Sequence, residues 1–430
     1  MREQSSSSGW LPTLGLGGLA AGLGAIYSLL GRWHNLATSI PEFTALALAA
    51  GALYLAGVYL VERFPLGPGA FLIVVLGTMA FRLFLLPREP ALSQDVYRYQ
   101  WEGRIQRLHL NPYTVFPAAP GLQGLQDPNH PIETGRDVST LYPPLSEWSF
   151  SWVKTIPAYK QLFTGFDLAA AAVLLALLAA LRLPPHRLLT YTWNPTVVMS
   201  FAMCGHQDSL AILTLLAASL LIIHRKPRLS VAFLALSVLS KFFSVLLLPV
   251  FLKRSRMAYA AIFAALVALA YSPYLRAGHR LFKGLTDYAA GWEGNDSLFR
   301  LIRLAGNSKP QAELVAGALL LAVLAYALKK RLEPLPACLL LLSSLPFLSP
   351  NAFPWYFTWM IPFLCFSPRA PLLLMSVTCV LGYAPVVAYA AGQPYRDSPF
   401  VLALEYAPVY LWLAFSGWKE IRKSKLETGN

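Results

Sequence analysis

The chain has 430 residues, of which 56% are hydrophobic and only 13% charged, and it carries a net charge of +14. Soluble domains carry about a quarter charged residues, so this composition excludes an ordinary soluble protein. Repeated apolar runs near the ~20 residues of a membrane helix, rather than alternating strands of about ten, also exclude a membrane barrel.

In chain order, Met1–Trp10 is polar, has no convincing small-residue cleavage site, and leads straight into a span, so an uncleaved N-terminus is expected. Spans are predicted at 11–30, 43–62 and 69–87. A long loop follows at about 88–159, with Pro117, Pro120, Pro128, Pro131, Pro143 and Pro144. These prolines rule out one continuous helix. Short interfacial helices are expected instead, anchored by Trp101, Trp148 and Trp152. Further spans are predicted at 161–181, 187–203 and 207–223. The runs 229–240 and 241–252 read either as one long tilted helix or as two half-helices broken near Ser240-Lys241. After 257–275 comes a second long loop at about 276–310, and then spans at 311–328, 335–349, 354–367, 371–390 and 400–418. The reading is an all-α polytopic membrane protein with about 12–14 crossings, forming one integral-membrane domain over 1–430. Cys204, Cys338, Cys365 and Cys379 have no paired spacing for zinc or a disulfide framework.

Lys and Arg in short loops set the orientation. Arg63, Arg182, Arg187, Arg225, Lys226, Arg228, Lys253, Arg254, Arg256, Lys329, Lys330, Arg331, Arg369, Lys419, Arg422, Lys423 and Lys425 fall on one side; little beyond Arg32 and Arg396 falls in short loops on the other. The basic side is expected to be cytoplasmic, with both termini there and both long loops outside. The positive charge is thus a topology signal, and no nucleic-acid partner is expected.

The polar segment Gln94-Asp95-Val96-Tyr97-Arg98-Tyr99-Gln100-Trp101-Glu102-Gly103-Arg104 stands out against this apolar background. An ionised carboxylate beside a bilayer has a role or a partner. Asp95 reads either as a general base for an attacking hydroxyl, or as a salt-bridge partner of Arg98 or Arg104 that orders the loop. Arg98 and Glu102 are four apart and share a helical face, and the planar fork of Arg104 suits a phosphate. Tyr142-Pro143-Pro144 is a rigid piece able to wall a pocket or merely connect, and Pro195 in Trp193-Asn194-Pro195 is expected to kink a span. In Gly205-His206-Gln207-Asp208, Asp208 reads as a helix cap or, with His206, as a sugar or metal contact. Lys241 reads as a snorkelling side chain or a phosphate ligand. Trp292 and Glu293 form a sugar-facing palette that solvated turns share, and Trp355 and Tyr356 suit interfacial anchoring as well as a site.

Together these residues resemble the GT-C membrane glycosyltransferases, in the polyprenyl-phosphate mannosyltransferase-like branch. The matching pieces are Asp95-Val96-Tyr97-Arg98-Tyr99 with Trp101-Glu102-Gly103-Arg104, Asn111-Pro112-Tyr113, Tyr142-Pro143-Pro144, Trp193-Asn194-Pro195, Gly205-His206-Gln207-Asp208, Lys241 with Pro249, and Pro354-Trp355-Tyr356. Departures are Gln207 where the family often has Asn, Phe353 where it often has His, and Leu108-His109-Leu110 where a Gly commonly precedes Asn-Pro-Tyr. The resemblance implies a GT-C-type fold and an inverting transfer of a hexose, mannose foremost, from a polyprenyl-phosphate donor. The acceptor hydroxyl would belong to a glycan, glycolipid or protein outside the plasma membrane. By motif position Asp95 is the base. Lys241, Arg98 and Arg104 are expected at the donor phosphate. Glu102, Tyr142, His206, Asp208, Trp292, Glu293, Trp355 and Tyr356 are expected at sugar or acceptor. A monophosphate leaving group leaves a divalent metal unrequired. The rival reading is a lipid or sugar transporter or flippase, but its midplane polar residues and inverted repeats contrast with polar clusters at outer helix ends.

Overall fold

The computed structural model describes residues 9–32, 39–90, 92–254, 256–390 and 393–428. The polar lead at 1–8 lies outside them, as do the side chains of the topology markers Arg254, Lys423 and Lys425. The chain is an all-helical membrane protein, and its described residues contain one isolated bridge, Gly294 with Asn351. Among the described residues, six helices are long and apolar enough to cross a membrane: Trp10–Leu30, Ile40–Arg63, Ile156–Ala180, Met257–Gly291, Lys309–Lys329 and Pro399–Lys419. Six shorter apolar helices join them, at Ala70–Leu85, Asp208–Ile223, Pro227–Ser240, Phe242–Lys253, Pro334–Leu348 and Ala370–Tyr383.

Two expected spans are not single helices. The run 187–203 is broken into short turns because Pro195 cannot donate a backbone hydrogen bond, and Asn194 caps the restart by accepting from Thr196 N and Val197 N. The run 354–367 is likewise broken, with Pro354 and Pro362 each opening a short helix. Nearly all of both segments is buried, and irregular backbone at membrane depth is tolerated only when it is enclosed by protein. The 229–252 region resolves as two pieces, since Lys241 adopts an extended conformation (φ −156°, ψ 135°) between Ser240 and Phe242.

Helix α1 (Trp10–Leu30) packs against both α2 (Ile40–Arg63) and α3 (Ala70–Leu85). The first long loop supplies α4 (Asp95–Arg107) and α5 (Pro144–Ser151), and α6 (Ile156–Ala180) returns through the bundle. A buried Arg82–Asp167 ion pair of 2.6 Å ties α3 to α6, and Tyr191 donates to the same carboxylate at 2.8 Å. Satisfied in this way, the charge is tolerated inside the bundle.

α4 and α5 touch almost backbone to backbone, for a reason visible in the motif. A Cβ at Gly103 would stand 2.1 Å from Phe150 O, so only glycine permits the contact. Gln106 donates to the Glu147 carboxylate at 2.9 Å, and Arg107 to Val153 O at 2.8 Å. This clasp fixes the direction in which α4 presents its first turn.

Candidate active site

Asp95 opens α4, with its side chain 36% exposed where helix N–H groups favour negative charge. Its backbone N–H donates to Ser93 Oγ at 3.2 Å. His206 Nδ1 lies 3.4 Å from Asp95 Oδ2, an electrostatic approach longer than a good hydrogen bond. The His206 ring is fully buried and stacks on Trp355 (centroids 4.1 Å, 20°), which in turn stacks on Phe353 (4.6 Å, 12°). The chain reaches this position through Gly205 at φ +70°, a left-handed conformation that suits glycine. Burial pushes the Asp95 carboxyl up. The His206 ring, followed by the Lys241 charge, outweighs that push and holds it below the ordinary carboxylate range.

Lys241 meets Asp208 at 2.7 Å, and its ammonium lies over the rings of Tyr356 (5.2 Å) and Trp359 (5.7 Å). Trp359 Nε1 donates to the same Asp208 oxygen at 2.7 Å. Asp208 therefore does not cap its helix. It anchors the one lysine that breaks the 229–252 region, and the extended backbone at that break aims the lysine at the site.

Arg98 is held on three sides. It donates to Glu102 Oε1 (2.7 Å), Gly135 O (2.9 Å) and Val138 O (2.7 Å). Beneath it, Glu102 and Glu147 are both fully buried. Thr140 donates to Glu147 Oε1 at 2.6 Å. Burial first, and the neighbouring Glu102 charge second, push Glu147 well above the ordinary glutamate range.

Two connected chambers open around Asp95. The first, about 150 Å³, is lined by Arg98, Glu102, Tyr142, Lys241, Tyr288 and Tyr356 among others. The second, about 700 Å³, is lined by Glu133, Glu293, Asn351, Tyr389 and Tyr395 among others. Gln94, Asp95, Thr134, Trp292, Phe353 and Trp355 line both.

The structure thus gathers Asp95, Arg98, Glu102, Tyr142, Lys241, Trp292, Trp355 and Tyr356 around the first chamber, places Glu293 on the second, and buries His206 and Asp208 behind them. It does not bring Arg104 there. Nine residues at 100° each place Arg104 half a turn round α4 from Asp95, where it is exposed and donates to Leu125 O at 3.1 Å. Sequence reading missed Glu133, Thr134, Tyr288, Asn351, Tyr389 and Tyr395. The stacked Tyr288–Trp292 pair (5.2 Å) has a signal in its i, i+4 spacing; Tyr389 lies in the short helix Pro385–Ala390 and the others in irregular segments, without such a signal. Among the described residues, no group of three or more His, Cys, Asp and Glu side chains lies together in a way that could hold a metal ion.

The family model described as alpha-(1->6)-mannopyranosyltransferase, N-terminal domain, matches residues 11–255, and the MptB C-terminal domain model matches residues 294–416. A search of curated proteins gave no match.

Proposed function

Since the chain belongs to the alpha-(1->6)-mannopyranosyltransferase family, of GT-C type, and is therefore a membrane mannosyltransferase, we propose that it takes mannose from a polyprenyl-phosphate donor by a single inverting displacement at the extracytoplasmic face. The acceptor hydroxyl oxygen attacks C1 as the C1–O bond to phosphate breaks. The electron pair leaves with the lipid phosphate, and the hydroxyl proton passes to Asp95. Inversion yields an α linkage only from a β-linked donor, and a 1→6 bond requires a primary hydroxyl as nucleophile. The phosphate is a good leaving group once a cation faces it, so no general acid is needed. Lys241 is that cation and Arg98 stands behind it.

The observation that carries this reading is the position of Asp95, ionised and partly exposed between two chambers, with a fixed lysine in only one of them. The chambers also draw on both matched segments: Asp95 and Lys241 from the first, Phe353, Trp355 and Tyr356 from the second. This favours one functional unit over 1–430. The outward placement rests on the basic-loop asymmetry, which puts the partners, a lipid-linked sugar and a glycan, glycolipid or protein acceptor, outside the cell membrane and both termini inside.

The test is purified protein in lipid with a panel of polyprenyl-phosphate sugars and mannosyl acceptors. Release of polyprenyl phosphate with a new α-linked mannose is expected. Transfer from a nucleotide sugar alone would overturn the donor assignment, and a β-linked product from a β-linked donor would overturn inversion. Single cysteines at Trp292 and Lys330 in a Cys-free background test sidedness: only the first should react with an impermeant reagent added outside.

A further inference from the structure

A transfer reaction brings two substrates to one base, and the two chambers differ in charge. The first contains Arg98 and Lys241. The described lining of the second contains Asp95, Glu133 and Glu293 and no lysine or arginine, although Arg303 approaches Glu293 from outside the lining at 3.7 Å. Six aromatic residues, Trp292, Phe353, Trp355, Tyr383, Tyr389 and Tyr395, share its walls with small, polar and aliphatic ones. Asn351, 4% exposed, lines it with Oδ1 lacking any hydrogen-bond partner. Aromatic faces, carboxylates and a free amide oxygen match the apolar faces and O–H donors of a pyranose. They do not match a phosphate, and a lipid chain would strand the buried amide oxygen. The volume of about 700 Å³ lies within the ordinary range of ligand sites, about 300–1,000 Å³.

We propose that the second chamber is the acceptor subsite and that it selects an uncharged pyranose end, whose hydroxyl reaches Asp95 from the chamber Lys241 does not line. The assignment rests on the transferase reading above. Glu133 and Glu293 then exclude acceptors bearing phosphate or uronate, while Tyr389, held by a 2.9 Å hydrogen bond to Thr134, provides a stacking face. Glu133 and Glu293 are exposed, so conservative changes at either should not compromise folding.

The test compares wild type, Glu133→Gln/Glu293→Gln and Tyr389→Ala with a neutral α-mannoside and a uronate-bearing analogue as acceptors. Donor KM and hydrolysis of donor to water are measured in parallel. Tyr389→Ala should raise the neutral acceptor's KM about 2- to 10-fold, the scale of one lost aromatic contact. The double variant should narrow the preference for the neutral acceptor over the uronate, and donor KM and hydrolysis should hold in both. A changed donor KM with an unchanged acceptor KM would place the donor here and overturn the assignment, as would equal use of both acceptors by wild type. Failure of wild type to release polyprenyl phosphate from any donor would instead remove the transferase reading itself.

Discussion

The two chambers beside Asp95 share a wall but are built differently. In the first, each charge is fixed by a partner: Arg98 by Glu102 and two carbonyls, Lys241 by Asp208 and two aromatic rings. In the second, Glu133 and Glu293 are exposed, Glu293 has only the long 3.7 Å approach of Arg303, and Tyr389 is held by one hydroxyl contact and an edge contact with Tyr395. Preorganised charge suits the place where charge develops as the phosphate leaves. A looser aromatic room suits a substrate that is only positioned. The contrast implies that substitutions around the first chamber act on turnover, whereas those around the second act on affinity.

The strongest way to break the comparison is at the shared wall. Asp95→Asn keeps the shape but cannot take the proton. General-base assistance is worth about 100- to 10,000-fold, so a loss of at least about 100-fold in kcat is expected, with donor binding kept. The control is equal expression and thermal stability, and a variant turning over near the wild-type rate would move the base elsewhere. Lys241 comes next. A charge-assisted hydrogen bond is worth about 1.5–3 kcal/mol, so Lys241→Ala should cost roughly 10- to 100-fold in kcat/KM for the donor. Lys241→Arg should recover part of that loss. Wild-type donor kinetics in both variants would reduce Lys241 to a structural partner of Asp208.

Much of the scaffold was legible in the sequence, because a span announces itself by length and apolarity alone. The spans misread, 187–203 and 354–367, are apolar enough to qualify; the prolines that break them mark a kink without showing that the pieces turn back inside protein. Within the site, the Arg98–Glu102 pair follows from helical spacing. The same arithmetic, applied through to Arg104, would have removed it from the phosphate group. Asp208 misled because a carboxylate at a helix start has the signature of a cap, and only the fold shows Lys241 and Trp359 converging on it from 33 and 151 residues away. The second chamber was least legible, since its loop residues meet through tertiary packing and share no period.

His206 sharpens the comparison through pH. Its approach to Asp95 is a principal reason that carboxyl titrates below the ordinary range despite burial. His206→Phe keeps a ring against Trp355 but removes this support, so the Asp95 pKa rises. The proposed base acts only when ionised, so the acid limb of kcat/KM should move to higher pH, with only a few-fold loss at neutral pH. His206→Gln, which can still donate, should move it less. An unmoved limb, or one displaced to lower pH, would mean that His206 does not support the Asp95 charge.

The smallest effect is expected beneath Arg98, where two buried glutamates differ in job though not in burial. Glu102 is the one that holds Arg98, at 2.7 Å. For Glu147, burial and the Glu102 charge both oppose ionisation and push its carboxyl up. Glutamine keeps the shape of glutamate and can still accept from Thr140, but its NH2 group cannot accept from Gln106. Glu147→Gln should therefore leave kcat within about threefold and cost about 1 kcal/mol of stability, the scale of one hydrogen bond. Glu102→Gln leaves Arg98 buried against a neutral group, and unpairing a partly buried charge costs more. It should lower stability and raise the donor KM, through a loosened Arg98, without reaching the loss seen at Asp95. If Glu147→Gln proved the more damaging of the two, the arginine behind the first chamber would be held by Glu147 instead.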